Sequence, residues 1–120
     1  MLAITSIRSI SKGDYLVNLF KSYGDKFTYI IVEDIGKERA FDEAVKGVHG
    51  IAHTASPFHY DSEDPKEIID PAVRGTTGIL ESVNKYGSMV KRVVITSSVA
   101  SVTDGMYHLK TPGTVYTEND

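Results

Sequence analysis

Four short apolar runs, "MLAITSI" at 1–7, "KFTYIIVED" at 26–34, "GIAHT" at 50–54 and "KRVVITSS" at 91–98, are separated by longer stretches whose apolar residues recur at helical spacing. Strands joined through helices must cross over, so they pair in parallel, and the helices cover the sheet. That alternation predicts an α/β fold with a mainly parallel sheet. In "SKGDYLVNLFKSYG" (11–24), Tyr15, Leu16, Leu19, Phe20 and Tyr23 share a face and Gly24 suits a C-cap. "GKERAFDEAVKGV" (36–48) predicts a second helix, with Ala40, Phe41, Ala44 and Val45 inward. In "DPAVRGTTGILESVNKYG" (70–87), Asp70 reads as N-cap, Pro71 as the first helical residue and Gly87 as the stop. Val93, Val94 and Ile95 are contiguous, the pattern of a strand covered on both faces. Residues 99–120 are polar and predict no regular element. At 120 residues without a repeat or linker-like seam, one domain over 1–120 is expected.

Composition removes several function classes. A net charge of −3 with no clustered basic face gives no electrostatic footprint for nucleic acid. The absence of cysteine excludes disulfides, thiolate chemistry and cysteine-ligated zinc, and it permits a reducing compartment, so a cytoplasmic location is the default expectation. No run approaches the roughly 18 apolar residues of a membrane span, and the N-terminus lacks a secretory core, so no membrane partner is expected. The histidines at 49, 53, 59 and 108 include no i, i+4 pair, so no helical zinc site is expected. His53 reads as a packed strand residue.

Ligands of an open parallel sheet bind outside the carboxyl ends of its strands. After the first strand come Arg8 and Lys12; after the second, Asp34 and Ile35; after the third, Thr54, Ala55 and Ser56; after the fourth, Thr96, Ser97 and Ser98. These supply cations, a carboxylate and two sets of small or hydroxylated residues. Small side chains let a ligand approach the backbone, and Pro57 turns the chain away without an N–H to satisfy. Plainer roles fit as well: surface cations for Arg8 and Lys12, a cap for Asp34, a strand end for Ser97 and Ser98. A receiver-like signalling domain, with Asp34 as phosphoacceptor, has the right length and topology, but it needs an acidic pair where Arg8 stands and a lysine where Ser98 stands.

Taken as an ordered set, "AFDEAVKGVHGIAHTASPF", "DPAVRGTTGILESV" and "VKRVVITSSVASV" resemble the extended short-chain dehydrogenases/reductases, in the branch of dihydroflavonol reductases and fungal methylglyoxal-type carbonyl reductases, from about Ile7 to Val102. The resemblance implies a Rossmann-type, doubly wound parallel sheet carrying NADP(H). It implies reduction of an aldehyde or ketone to an alcohol. Carried over by position, Arg8 meets the adenosine 2′-phosphate with Lys12 assisting, Asp34 and Ile35 lie along the adenine, and Thr54, Ala55 and Ser56 pass beneath the ribose and pyrophosphate, with Thr96 at the same edge. Ser98 matches the serine that hydrogen-bonds the substrate carbonyl, and Phe58 falls at the substrate mouth. The helix at 71–86 resembles the family's dimer helix, which implies a possible homodimer.

Two family motifs are absent. No tyrosine is followed four residues later by lysine; Tyr107 and Lys110 are one residue too close. Nor does a G-x-x-G-x-x-G turn occur: Gly47 and Gly50 are followed by His53, Gly75 and Gly78 by Glu81. The expectation is therefore an incomplete dinucleotide-binding domain, lacking the first strand with its glycine-rich loop and the C-terminal part, and catalysing nothing alone. The alternative is a non-catalytic nucleotide-binding or dimerising remnant. In the family's order, the missing strand would lie between those at 2–7 and 50–54, leaving open edges and a tendency to aggregate unless the two strands pair directly.

Overall fold

The computed structural model describes residues 2–57, 63–101 and 115–117. Strand β1 (Ala3–Ile7) leads through α1 (Ile10–Leu19) and a 3₁₀ segment (Lys21–Lys26) into β2 (Phe27–Ile31), then β3 (Gly50–His53), α2 (Lys66–Tyr86) and β4 (Arg92–Ile95). β1 pairs in parallel with β2, Ala3 opposite Phe27 and Ile7 opposite Ile31. β3 pairs in parallel with β4, Gly50 opposite Arg92 and His53 opposite Ile95. The arrangement is Rossmann-like α/β, as the alternation predicts. The two pairs form separate two-stranded sheets, so β1 and β3 do not close on each other.

Three helix expectations need correction. α1 stops at Leu19, and Gly24, at φ +53, serves the turn into β2 instead of capping the helix. The Phe20 ring packs 4.9 Å from Phe27 and 6.1 Å from Tyr23, folding the chain over the start of β2. Residues 36–48 form a chain of turns, with Ala40 N–H to Lys37 C=O, Asp42 to Arg39 and Lys46 to Glu43, and Arg39 left-handed at φ +63. Phe41 and Val45 still face inward because turns of three to four residues keep nearly the same period. Finally, α2 begins at Lys66, not Pro71: Asp64 Oδ1 accepts the Lys66 N–H at 2.9 Å, and Pro71 lies inside the helix. Glu67 N–H to Asp64 C=O and Ile69 N–H to Pro65 C=O secure this earlier start.

Val32, Phe41, Val45 and Ile79 make the buried core, with Ile30, Ile35, Ile51 and Val83 packed around it. α2 presents Gly75, Ile79 and Ser82 inward, an i, i+4, i+7 stripe. Val94 and Ile95 are exposed, so β4 is not covered on both faces as its contiguous apolar run implies. No helix among the described residues is long and apolar enough to cross a membrane.

Candidate functional site

The Ile7 carbonyl accepts the Val32 N–H at 2.8 Å, the last bond of the β1–β2 ladder, and the chain leaves the sheet at Arg8. Ser9 is extended and α1 starts at Ile10, which puts Lys12 in the first helical turn. Both cations are exposed, and neither forms an ion pair among the described residues. A helix start flanked by two unneutralised cations suits an anion.

Asp34 and Ile35 diverge. Asp34 Oδ1 accepts the Gly36 N–H at 2.8 Å, an Asx turn, and the residue lines a shallow cavity of about 270 Å³ with Glu33, Lys37 and Arg39. Ile35 turns inward against α2, where a Cβ on Gly75 would lie 3.1 Å from its Cδ1. Asp34 thus closes an Asx turn and caps no helix, since 36–48 is a chain of turns, and its second carboxylate oxygen is not engaged in that turn.

Beyond β3, Thr54, Ala55 and Ser56 are exposed. Thr54 and Ala55 line a cavity of about 210 Å³ that also touches Ile4 and Ser6 of β1 and, from the core, Phe41, Val45 and Ile79. The Ser56 hydroxyl donates to the Pro57 carbonyl at 3.5 Å. Thr96 extends the other ladder, its N–H donating to His53 C=O at 3.0 Å. Ser98 opens the 3₁₀ turn Val99–Ser101: its carbonyl accepts from the Ser101 N–H at 3.0 Å and from the Ser101 hydroxyl at 2.6 Å. Arg8, Lys12, Thr96 and Ser98 line neither cavity. Phe58 lies outside the described residues.

Two polar groups at this site escape a reading by strand ends. Asp42 is buried, accepting from Ser82 Oγ at 2.8 Å and Arg39 Nε at 2.9 Å. The Arg39 hydrogen bond, with help from Ser82, holds its carboxyl below the ordinary 3.8. This pair fastens the turns to α2, and its only sequence signal is a carboxylate beside Phe41 on the inward face. His53 is buried, its ring edge-on to Phe41 at 5.8 Å, as expected of a packed strand histidine. Burial holds its pKa below 6.5, and Nε2 has no hydrogen-bond partner among the described residues.

Known proteins match this arrangement. The profile of the 3-beta hydroxysteroid dehydrogenase/isomerase family matches residues 5–112. Ketoreductase azaE of Aspergillus niger is 42% identical over 104 residues, covering 82% of this chain and 31% of that protein. The crystal structure of yeast methylglyoxal/isovaleraldehyde reductase Gre2 with NADPH superposes with a TM-score of 0.76 at 42% identity, over 84% of this chain and 31% of that one. Gre2 of Candida albicans, in complex with NADPH, gives 0.76 at 38% identity over 83% and 30%. The chain thus spans about a third of the length of the relatives it matches.

Proposed function

The chain belongs to the 3-beta hydroxysteroid dehydrogenase/isomerase family, on the methylglyoxal-type carbonyl reductase branch of the short-chain dehydrogenases/reductases, and from that premise we propose that it supplies part of the NADPH site of an aldehyde or ketone reductase. The observation that carries the reading is the placement of Arg8 and Lys12, exposed and without an ion pair among the described residues, directly after β1. Such cations suit the 2′-phosphate that distinguishes NADPH from NADH. Asp34 and the backbone of Ile35 would border the adenine. Small residues at Thr54–Ser56 and the start of the 96–98 stretch would let ribose and pyrophosphate approach the backbone.

NADPH, when bound, would supply a hydride to a carbonyl carbon, which would leave negative charge on the carbonyl oxygen. A hydroxyl donor at Ser98 would stabilise that charge, with Phe58 at the substrate mouth. Protonation needs a further acid, and the sequence holds no Y-x-x-x-K pair. We therefore expect these 120 residues alone to bind cofactor without turnover. A cytoplasmic location is part of the same reading.

A second, non-catalytic reading is favoured by one feature of α2. Val73 and Leu80 are exposed along it, and Ile69 extends their face one turn earlier, an apolar stripe fit for a homodimer through residues 71–86. Titration of the folded chain with NADPH and NADH, beside Arg8→Ala, tests the cofactor proposal. Saturable binding that prefers NADPH, with the preference lost in Arg8→Ala, supports it; absence of binding to folded protein at millimolar cofactor overturns it. Sedimentation of the chain beside Val73→Glu tests the dimer, which the substitution should dissociate.

A further inference from the structure

The net charge of −3 conceals a cationic end. No Asp or Glu occurs in 44–60 or in 82–103; the first of these segments leads into β3, and the second closes α2 and enters β4. The fold brings their cations together. Lys46 Nζ lies 5.5 Å and Lys85 Nζ 5.1 Å from the centre of the Tyr86 ring. The chain then turns at Gly87, and Lys91 N–H donates to His49 C=O at 2.9 Å, which sets Lys91 and Arg92 where β3 and β4 begin. No basic run announces this patch in the sequence, because its members come from two segments that meet only in the fold.

Lys46, Lys85, Lys91 and Arg92 are all exposed. Glu43 holds Lys46 at 2.6 Å, and the other three form no ion pair among the described residues. The helix dipole favours Lys85 in the last turn of α2, but its effect ends within that turn and leaves Lys91 and Arg92 unexplained. Like charges gathered without counterions attract a negative partner. Tyr86 packs against the core and has two ammonium groups over its ring, so it is no platform for a nucleobase. Met89, in the turn between Lys85 and Lys91, is exposed and offers an adaptable apolar contact. Carboxylates flanking an apolar side chain match such a surface. We propose that the patch formed by Lys46, Lys85, Lys91 and Arg92 binds an acidic peptide segment of another protein, its carboxylates on the cations and an apolar side chain on Met89. β3 and β4 have four residues each, so Thr54–Ser56 and Thr96 lie roughly 13 Å away at the other ends of these strands, and the proposal is independent of the cofactor reading.

The test uses the full 120-residue chain and a fluorescent, end-blocked peptide of four glutamates around a central leucine, beside the same peptide with glutamine for each glutamate. Anisotropy should saturate with the acidic peptide, and the glutamine peptide should require at least about tenfold more protein. Salt raised from about 0.05 to about 0.5 M should weaken the acidic peptide several-fold. Lys85→Gln and the double variant Lys91→Gln/Arg92→Gln change exposed side chains only, and each should weaken the acidic peptide, the double variant at least about tenfold, with unchanged circular dichroism. Met89→Ser should reduce the preference for leucine over serine at the centre of the peptide. No saturation at millimolar protein, equal affinity for the two peptides, or full affinity in either folded variant would overturn the proposal. So would tighter binding of oligothymidylate or of phosphatidylserine vesicles that the double variant abolishes, because a nucleic acid or a membrane would then be the occupant. Self-association of the free chain that the double variant abolishes would overturn it too, because the acidic segment would be the chain's own.

Discussion

Gly13 is the one buried residue of α1, and the strands leave it no room for a side chain. A Cβ there would lie 2.4 Å from Tyr29 Cζ and 2.5 Å from Ile7 Cδ1, on two different strands. Carbon atoms prefer ~3.5–4.0 Å, so Gly13→Ala must move the helix, the ring or both by about 1 Å. The ring is not free to swing, since Tyr29 donates to Asp14 Oδ1 at 3.1 Å from the next helical position. Alanine would gain about 0.8–1.0 kcal/mol of helix propensity. Overpacking costs about 1–3 kcal/mol, and contact with two side chains at once, one of them hydrogen-bonded, places this case in the upper part of the range. A net loss of about 1–2 kcal/mol is therefore expected, read as a lower urea midpoint at constant slope. In a Tyr29→Ala/Ile7→Ala background the clash is gone, and Gly13→Ala should become stabilising. Because α1 carries Lys12, the single variant should also weaken NADPH. Parent-like or greater stability of Gly13→Ala in the unmodified chain would refute the packing argument.

Phe41→Ala empties the centre of the core and should cost about 3–5 kcal/mol, seen as loss of a cooperative urea transition; a Phe41→Leu variant should retain the transition. His53 is depressed by burial, so the unfolded chain binds a proton the native chain refuses. Stability should then fall as pH drops below 6.5 towards the lower folded value, and His53→Asn should flatten that slope in denaturation series. Asp42 is also depressed, so its contribution is complete above 3.8 and lost as pH falls through its folded value. Ser82→Ala removes one cause of that depression. Its stability deficit should be largest at neutral pH and shrink below 3.8 in acid titrations monitored by circular dichroism.

The parallel strands were legible because each is a short apolar run and each link between them is too long for a hairpin. Helix ends were not, for particular reasons. Asp70 and Pro71 carry the usual starting signals, but Asp64, six residues earlier, takes the Lys66 N–H just ahead of the N-cap Pro65, and the helix runs on through Pro71 despite the hydrogen bond that a proline forfeits. Residues 36–48 have helical periodicity, which a chain of turns shares; the left-handed Arg39 and its bond to Asp42 accompany the turns, and Asp42 also accepts from Ser82, forty residues away, which no local pattern reveals. Strand ends revealed the site residues as positions. Whether Ile35 faced a ligand or the core depended on Gly75 of α2, a tertiary fact no local pattern carries.

Binding and folding should be coupled in this chain. The proposed cofactor contacts divide between Arg8 after β1 and Thr54–Ser56 after β3, on two sheets that share no strand pairing among the described residues. Four buried apolar residues form the described core, a narrow margin where domain stability is typically about 5–15 kcal/mol. A ligand at a hundred times its Kd adds about 2.7 kcal/mol to the native state, a large share of such a margin. The converse follows: if part of the free chain is unfolded, apparent affinity falls by the folded fraction. An excluded osmolyte such as trimethylamine N-oxide favours burial and should restore that fraction. NADPH titrations should therefore tighten with osmolyte in step with the gain in native circular dichroism. Osmolyte that raises the native signal without tightening NADPH would show that the two sheets need not be held together for the cofactor to bind.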